Sequence, residues 1–158
     1  MTEESAKEIL GELLPKSYEF NDVFWGKGLD IVANPSSDAY QPVESDVYKS
    51  TKDMLDAASE VFSSEYIESI RSSVFASNEE GGIRARYIDV AGVLKKDTTN
   101  EGFDNFDSVN GKIDISSVKI LKQNRHTALL SLRYTDGGET ELTLVLENGK
   151  WLLNSPTY

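Results

Sequence analysis

Residues 139–156 read ETELTLVLENGKWLLNSP, and the alternation within them decides the fold. Thr140, Leu142, Leu144 and Leu146 point one way, while Glu139, Glu141 and Thr143 point the other. That is the two-residue period of a strand with one dry face. Asn148-Gly149 then supplies two residues that tolerate positive φ, as a two-residue hairpin turn demands. The chain therefore turns back, and KWLLNSP (150–156) is a terminal strand with Trp151 and Leu153 on its apolar side. On this reading the tail is structural.

Working upstream, HTALLSLRYT (126–135) is another strand, with His126, Ala128, Leu130, Leu132 and Tyr134 on one face. Asp136-Gly137-Gly138 joins it to the next strand as a hairpin. KIDISSVKILK (112–122) and IRARYIDVAGVL (83–94) complete five strands, the latter bent or bulged near Gly92. Between those two, DTTNEGFDNFDSVNG (97–111) is a long loop. A short extended piece is also expected around Tyr40 to Tyr48.

The N-terminal half carries the other period. Ala6, Ile9, Leu10, Leu13 and Leu14 recur at helical spacing, with Ser5 and Glu8 as a capping box or Thr2 as an alternative start. Pro15 is expected to stop this helix at Leu14. Ser50 caps a second helix with the stripe Met54, Leu55, Ala58, Val61 and Phe62. Tyr66, Ile67, Ile70 and Val74 mark a shorter third. Helices first and an antiparallel meander afterwards make an α+β domain over 1–158. Helices within 2–75 pack on a curved antiparallel sheet within 82–158.

Composition narrows the function classes. The net charge of −11, from 27 acidic and 16 basic residues, repels nucleic acid, and Lys95, Lys96, Lys119, Lys122 and Arg125 are too sparse to reverse that. No cysteine is present, so disulfides, thiolate nucleophiles and cysteine-ligated zinc are excluded. No apolar run approaches the roughly 20 residues of a membrane span. Met1 leads directly into a polar helical start, as in a mature chain whose leader has been removed.

Most candidate chemistry has a plain structural reading. His126 is the only histidine and stands at a strand start, an edge or turn position; no second one exists to build a zinc site. Asp104, Asn105, Asp107, Asn110 and Asp114 offer oxygen donors without EF-hand spacing and read as a solvated loop. Gly26-Lys27-Gly28 lacks the rest of any phosphate-binding fingerprint and reads as chain reversal. No cofactor and no metal are expected. The aromatics Trp25, Tyr40, Tyr48, Tyr87 and Tyr158 come from separate segments that this fold can gather at one mouth, as core packing or as a ligand-binding surface.

FWGKGL (24–29), YQPV (40–43), VFSSEYI (61–67), ARYIDVAGVL (85–94) and the closing NGKWLLNSPTY resemble the nuclear transport factor 2-like (cystatin-like) superfamily. More narrowly they look like exported, uncharacterised proteins of Gram-positive gut bacteria, and the layout is distantly similar to peptidoglycan DL-endopeptidase inhibitors. The resemblance implies a cone of helices against a curved sheet and an extracellular or cell-envelope location. It implies a non-catalytic binding or interaction domain, with a small molecule or an envelope protein as partner. One alternative is an inhibitor of a cell-wall hydrolase, with Phe103 and Phe106 on an acidic loop from Asp97 to Asp114 meeting the partner. Another follows from the isomerases of the superfamily: Tyr87 and Asp89 share a strand face, opposite Arg84 and Arg86, as a proton-transfer pair in the cup.

Overall fold

A computed structural model describes residues 1–77, 80–82, 84–100 and 111–158. Phe103 and Phe106, with Asp104, Asn105, Asp107 and Asn110, lie outside the described residues.

The chain is α+β. Helix α1 spans Glu3–Phe24, α2 Thr51–Ala58 and α3 Ser64–Val74. Strands β4 (Ile113–Gln123), β5 (Thr127–Tyr134), β6 (Glu139–Glu147) and β7 (Lys150–Leu153) form an antiparallel sheet in that order. Strands β1 (Tyr40–Pro42), β2 (Tyr87–Val90) and β3 (Val93–Asp97) form a second sheet with β3 in the middle. One cluster of buried apolar side chains joins the helices to both sheets.

Helix α1 overrides its own stop signal. It begins at a reciprocal cap, in which Ser5 N–H donates to Thr2 Oγ1 at 3.1 Å and Thr2 N–H to Ser5 Oγ at 2.9 Å. Thr2, not Ser5, is therefore the cap. The helix then runs straight through Pro15 for 22 residues. An internal proline removes one hydrogen bond and crowds the carbonyl four residues back, at a cost of about 3 kcal/mol. Here that carbonyl belongs to Gly11, which is exposed and has open space beside it. Beyond the proline, Ser17, Phe20, Asn21 and Phe24 continue the buried stripe of Leu10, Leu13 and Leu14. Burying two phenylalanines is worth roughly 1.5–3 kcal/mol each, which offsets the loss at Pro15.

The expected first strand also breaks differently. Ala91 (φ 50°) and Gly92 (φ 76°) both adopt left-handed backbone, and Val90 pairs with Val93. What reads as one bent strand is therefore a tight hairpin, because the positive-φ pair reverses the chain completely. With β1 paired to β3, the expected single five-stranded sheet becomes two sheets. Asp97, expected to open the long loop, closes β3 opposite Tyr40 and is buried.

The large sheet follows the alternation closely. Ala128, Leu130, Leu132, Leu142 and Leu144 are fully buried. Asn148 (φ 50°) and Gly149 (φ 80°) make the predicted turn, and Glu147 pairs with Lys150. Leu146 faces Trp151 and Leu144 faces Leu153, while Leu152 on the other side is buried as well. The outer edge of β7 is covered: Leu153 N–H donates to Val61 O at 2.9 Å, and Ser63 N–H to Leu153 O at 2.8 Å. Past β7, Thr157 is buried against α1. Asn21 Nδ2 donates to Thr157 Oγ1 at 2.9 Å, and Ser17 Oγ lies 2.9 Å from the same hydroxyl. Ser17 spends its own proton on Leu14 O at 2.8 Å, so Thr157 is the donor to Ser17.

The tail is therefore both a strand and a clamp. Deleting Trp151–Tyr158 should abolish the cooperative thermal transition. Thr157→Val, which keeps the shape and removes the relay between Asn21 and Ser17, should cost about 1–3 kcal/mol in urea unfolding. A truncated chain that melts cooperatively at the parent temperature would show that α1 and β6 hold without it.

Candidate functional site

The first place where polar groups converge is the C-terminal end of α1. Its last carbonyls need donors, and Arg86 supplies one: Nη1 donates to Phe24 O at 3.3 Å and, just past the helix, Nη2 to Gly26 O at 2.6 Å. Next to it, Tyr87 donates its hydroxyl proton to Val23 O at 2.7 Å and accepts from Leu29 N–H at 2.9 Å. Gly28 (φ +79°) lets the chain pass over this pair, since a Cβ there would lie 2.5 Å from Arg86 Nη2 and 2.9 Å from Tyr87 Oη. Gly26-Lys27-Gly28 is thus the chain reversal expected of it. Tyr87 is fully buried, and burial raises its pKa despite the neighbouring Arg86. Asp89 turns elsewhere: its carboxylate accepts from Thr51 N–H at 3.1 Å and Thr51 Oγ1 at 2.5 Å, at the start of α2. Tyr87 and Asp89 therefore serve different helices.

The five candidate aromatics occupy several environments. Trp25 and Tyr158 meet, with ring centroids 5.8 Å apart, and Tyr158 also bonds the hydroxyl of Tyr66. Tyr66 rests on Phe62 at 4.9 Å, and Phe62 on Phe20 at 6.1 Å, so the surface pair is the outer end of an aromatic run into the core. The run continues from Phe20 to Phe24 at 5.5 Å and Phe75 at 5.8 Å, and Tyr87 lies 6.1 Å from Phe75. Tyr40 donates to Ala85 O at 2.6 Å and stacks under Arg84, whose guanidinium carbon is 4.9 Å from the ring centre. Tyr48 is half-buried against the core just before α2. His126 is exposed, and its backbone N–H donates to Asn124 Oδ1 at 2.8 Å. Asp114 accepts from Ser116 N–H at 2.9 Å inside an irregular stretch of β4.

A concave surface lies on another side of the molecule. A recess of about 540 Å³ opens between α3 and the β6–β7 turn, floored by Phe62, Ile67 and Leu152. A second, of about 320 Å³, continues past Leu152 onto Ile9, Leu13 and Trp151. Both volumes fall in the range of ligand sites. The Lys150–Glu60 ion pair, 2.7 Å long, belongs to both recesses and divides them. In the larger recess the remaining rim charges are also matched. Arg71 Nε lies 3.2 Å from Glu68 Oε2, and Glu147 accepts from Ser64 N–H at 3.1 Å and Ser64 Oγ at 3.0 Å, capping α3. The arrangement offers apolar contact flanked by paired charge. Sequence periodicity flags Leu152 only as a strand residue and leaves Glu60, Arg71 and Lys150 as surface charges, because the groove is made of three segments distant in the chain.

No protein-family model matches this chain, and no curated protein matches its sequence.

The tyrosines that link core and surface make a prediction about alkali. Burial raises the pKa of Tyr66, reinforced by Tyr158, and burial likewise raises those of Tyr18, Tyr48 and Tyr87. Unfolded tyrosines ionise near pH 10. Above that the folded chain holds more protons than the unfolded one, so this stability is complete below about pH 10 and falls as pH rises. The urea midpoint should drop as pH rises above about 10, and Tyr66→Phe should make the drop shallower. A level or rising midpoint would mean that these phenols ionise as freely in the folded chain as in the unfolded one.

Proposed function

We propose that this chain is a non-catalytic binding domain that works at the bacterial cell envelope and engages its partner through the divided groove beside α3. The observation that carries this reading is the groove itself: a floor of Phe62, Ile67 and Leu152 with rim charges already matched to one another. Such a surface gives contact area and orientation. In the recess beside α3 the carboxylates of Glu60, Glu68 and Glu147 each have a partner in place, which suits them to orienting a ligand. The envelope location rests on the resemblance to exported proteins of Gram-positive bacteria.

Immobilised protein should retain a specific component from solubilised Gram-positive envelope. Arg71→Glu, which sets two carboxylates facing each other on the rim, should weaken retention at least tenfold without moving the thermal midpoint. Retention indifferent to Arg71→Glu, or saturable turnover of an envelope substrate, would remove the reading.

A second reading, inhibition of a cell-wall hydrolase, is favoured by one feature. The tip of the β2–β3 hairpin presents Val90 and Val93 at 41% and 44% exposure around the Ala91-Gly92 turn. Asp89 adjoins it, and Glu44 follows β1 alongside Val93, where Val43 N–H donates to Leu94 O at 2.9 Å. A rigid apolar tip flanked by carboxylates suits a basic cleft. If the chain inhibits a peptidoglycan DL-endopeptidase, replacing Val90 and Val93 together by Ser should abolish inhibition and leave the melt unchanged. Undiminished inhibition by that double variant would exclude the hairpin as the inhibitory wedge.

A further inference from the structure

The groove beside α3 runs along an edge of the large sheet, and that edge is open at one residue. β7 is last in the strand order, so one side of its backbone faces β6 and the other faces outward. The register fixes which residues turn outward. Asn154 N–H donates to Thr143 O at 2.8 Å, so these two face each other at a hydrogen-bonded position of the ladder. Leu153 opposite Leu144 and Trp151 opposite Leu146 then stand at non-hydrogen-bonded positions. The N–H and C=O of both residues therefore point away from β6. Leu153 has both groups satisfied: its N–H donates to Val61 O at 2.9 Å, and its C=O accepts from Ser63 N–H at 2.8 Å. Two residues earlier the covering chain is no longer extended, because Glu60 and Val61 belong to the turn that ends α2, their N–H groups on Ala57 O and Ala58 O. Trp151 is thus left with an outward donor and an outward acceptor that no group among the described residues meets.

Edge groups of this kind are a template for another strand. An amino-acid residue in extended conformation presents its own N–H and C=O to one side, so a single residue of an antiparallel peptide answers both groups of Trp151. The two recesses supply the rest. Trp151 lines the smaller one with Ile9 and Leu13, Ile67 lines the larger, and Leu152, on the opposite face of β7 from Trp151, borders both. Side chains of an added strand alternate between the two faces of the sheet, as those of β7 do. We propose that the groove takes an extended peptide segment of a partner protein, paired to Trp151 at the edge of β7 and seating alternate side chains in the two recesses. This rests on the groove being the surface that engages the partner, as proposed above. The Glu60–Lys150 ion pair that divides the recesses stands in that path. Both side chains are 66% exposed, and an exposed pair holds weakly enough to swing aside.

The experiment is an amide chemical-shift titration of the full chain with the blocked peptide acetyl-Lys-Leu-Val-Leu-Glu-amide, which carries no net charge. The Trp151 amide proton should move downfield to saturation and exchange with solvent roughly tenfold more slowly, with accompanying shifts at Ile9 and Ile67. The peptide is then N-methylated at one residue at a time. Methylation at one position should weaken binding about tenfold, while methylation at its neighbours, whose N–H groups point away from β7, should change it less than about threefold. The scan alters only the peptide, so the fold of the protein is untouched. Absence of saturable shifts at Trp151, or a flat methylation scan, would overturn the peptide pairing. So would shifts at Trp151 that grow with protein concentration alone, which mark a second copy on the edge. If retention of an envelope component still depends on Arg71 in that case, the groove stands as the binding surface and only the peptide pairing falls; if it does not, both fall.

Discussion

A helix that must keep one face dry from Ala6 to Phe24 constrains the position of almost everything else. That face is too long for one partner. Its first half is covered by the large sheet, whose inward leucines are the residues of the β5 and β6 alternation. Its second half needs the C-terminal tail, the aromatic run through Phe20 and Phe62, and the β2–β3 hairpin under Phe24. The proton chain from Asn21 through Thr157 and Ser17 to Leu14 O secures the tail at the point where an apolar contact alone would let it slide. A buried polar chain in which each member has its partner specifies one register, whereas methyl groups of equal volume would accept several.

The same helix explains why the most conspicuous polar residues are structural. An α-helix ending inside a protein leaves carbonyls that must be satisfied, and α1 ends beside β2. Arg86 and Tyr87 are the answer to that demand, and Gly28 is the residue that lets the chain pass over them. Asp89 and Glu147 do corresponding work at the opposite polarity, satisfying the first donors of α2 and α3. The groove floored by Phe62, Ile67 and Leu152 lies beside the last of these caps, where Glu147 meets the start of α3.

Much of the fold was legible because the signals were local. The alternation in 139–147, the Asn148-Gly149 turn and the Ser50 cap each depend on residues within a few positions of one another, and each appears where expected. Pro15 and Ala91-Gly92 misled for opposite reasons. At Pro15 a local penalty was offset by the distant burial of Phe20 and Phe24. At Ala91 the signal was weak, since alanine seldom takes positive φ and conceals a two-residue turn that Asn or Asp would announce. Trp25 and Tyr158, aromatics from distant segments, meet, but Tyr87 is a core residue whose hydroxyl is committed to the backbone.

By itself the sequence determined where helices give way to strands and which side of the β5 and β6 strands is apolar, because periods of two and of about three and a half are written in neighbouring letters. It also excluded cysteine chemistry. Tertiary structure alone decided that the strands divide into two sheets, that Arg86 closes a helix 60 residues upstream at Gly26, and that Glu60 meets Lys150 across 90 positions. The physical reason is one of range. Secondary structure is fixed by interactions within a turn or a hairpin, whereas grooves, cavities and buried ion pairs exist only once burial has brought together segments that carry no mark of each other.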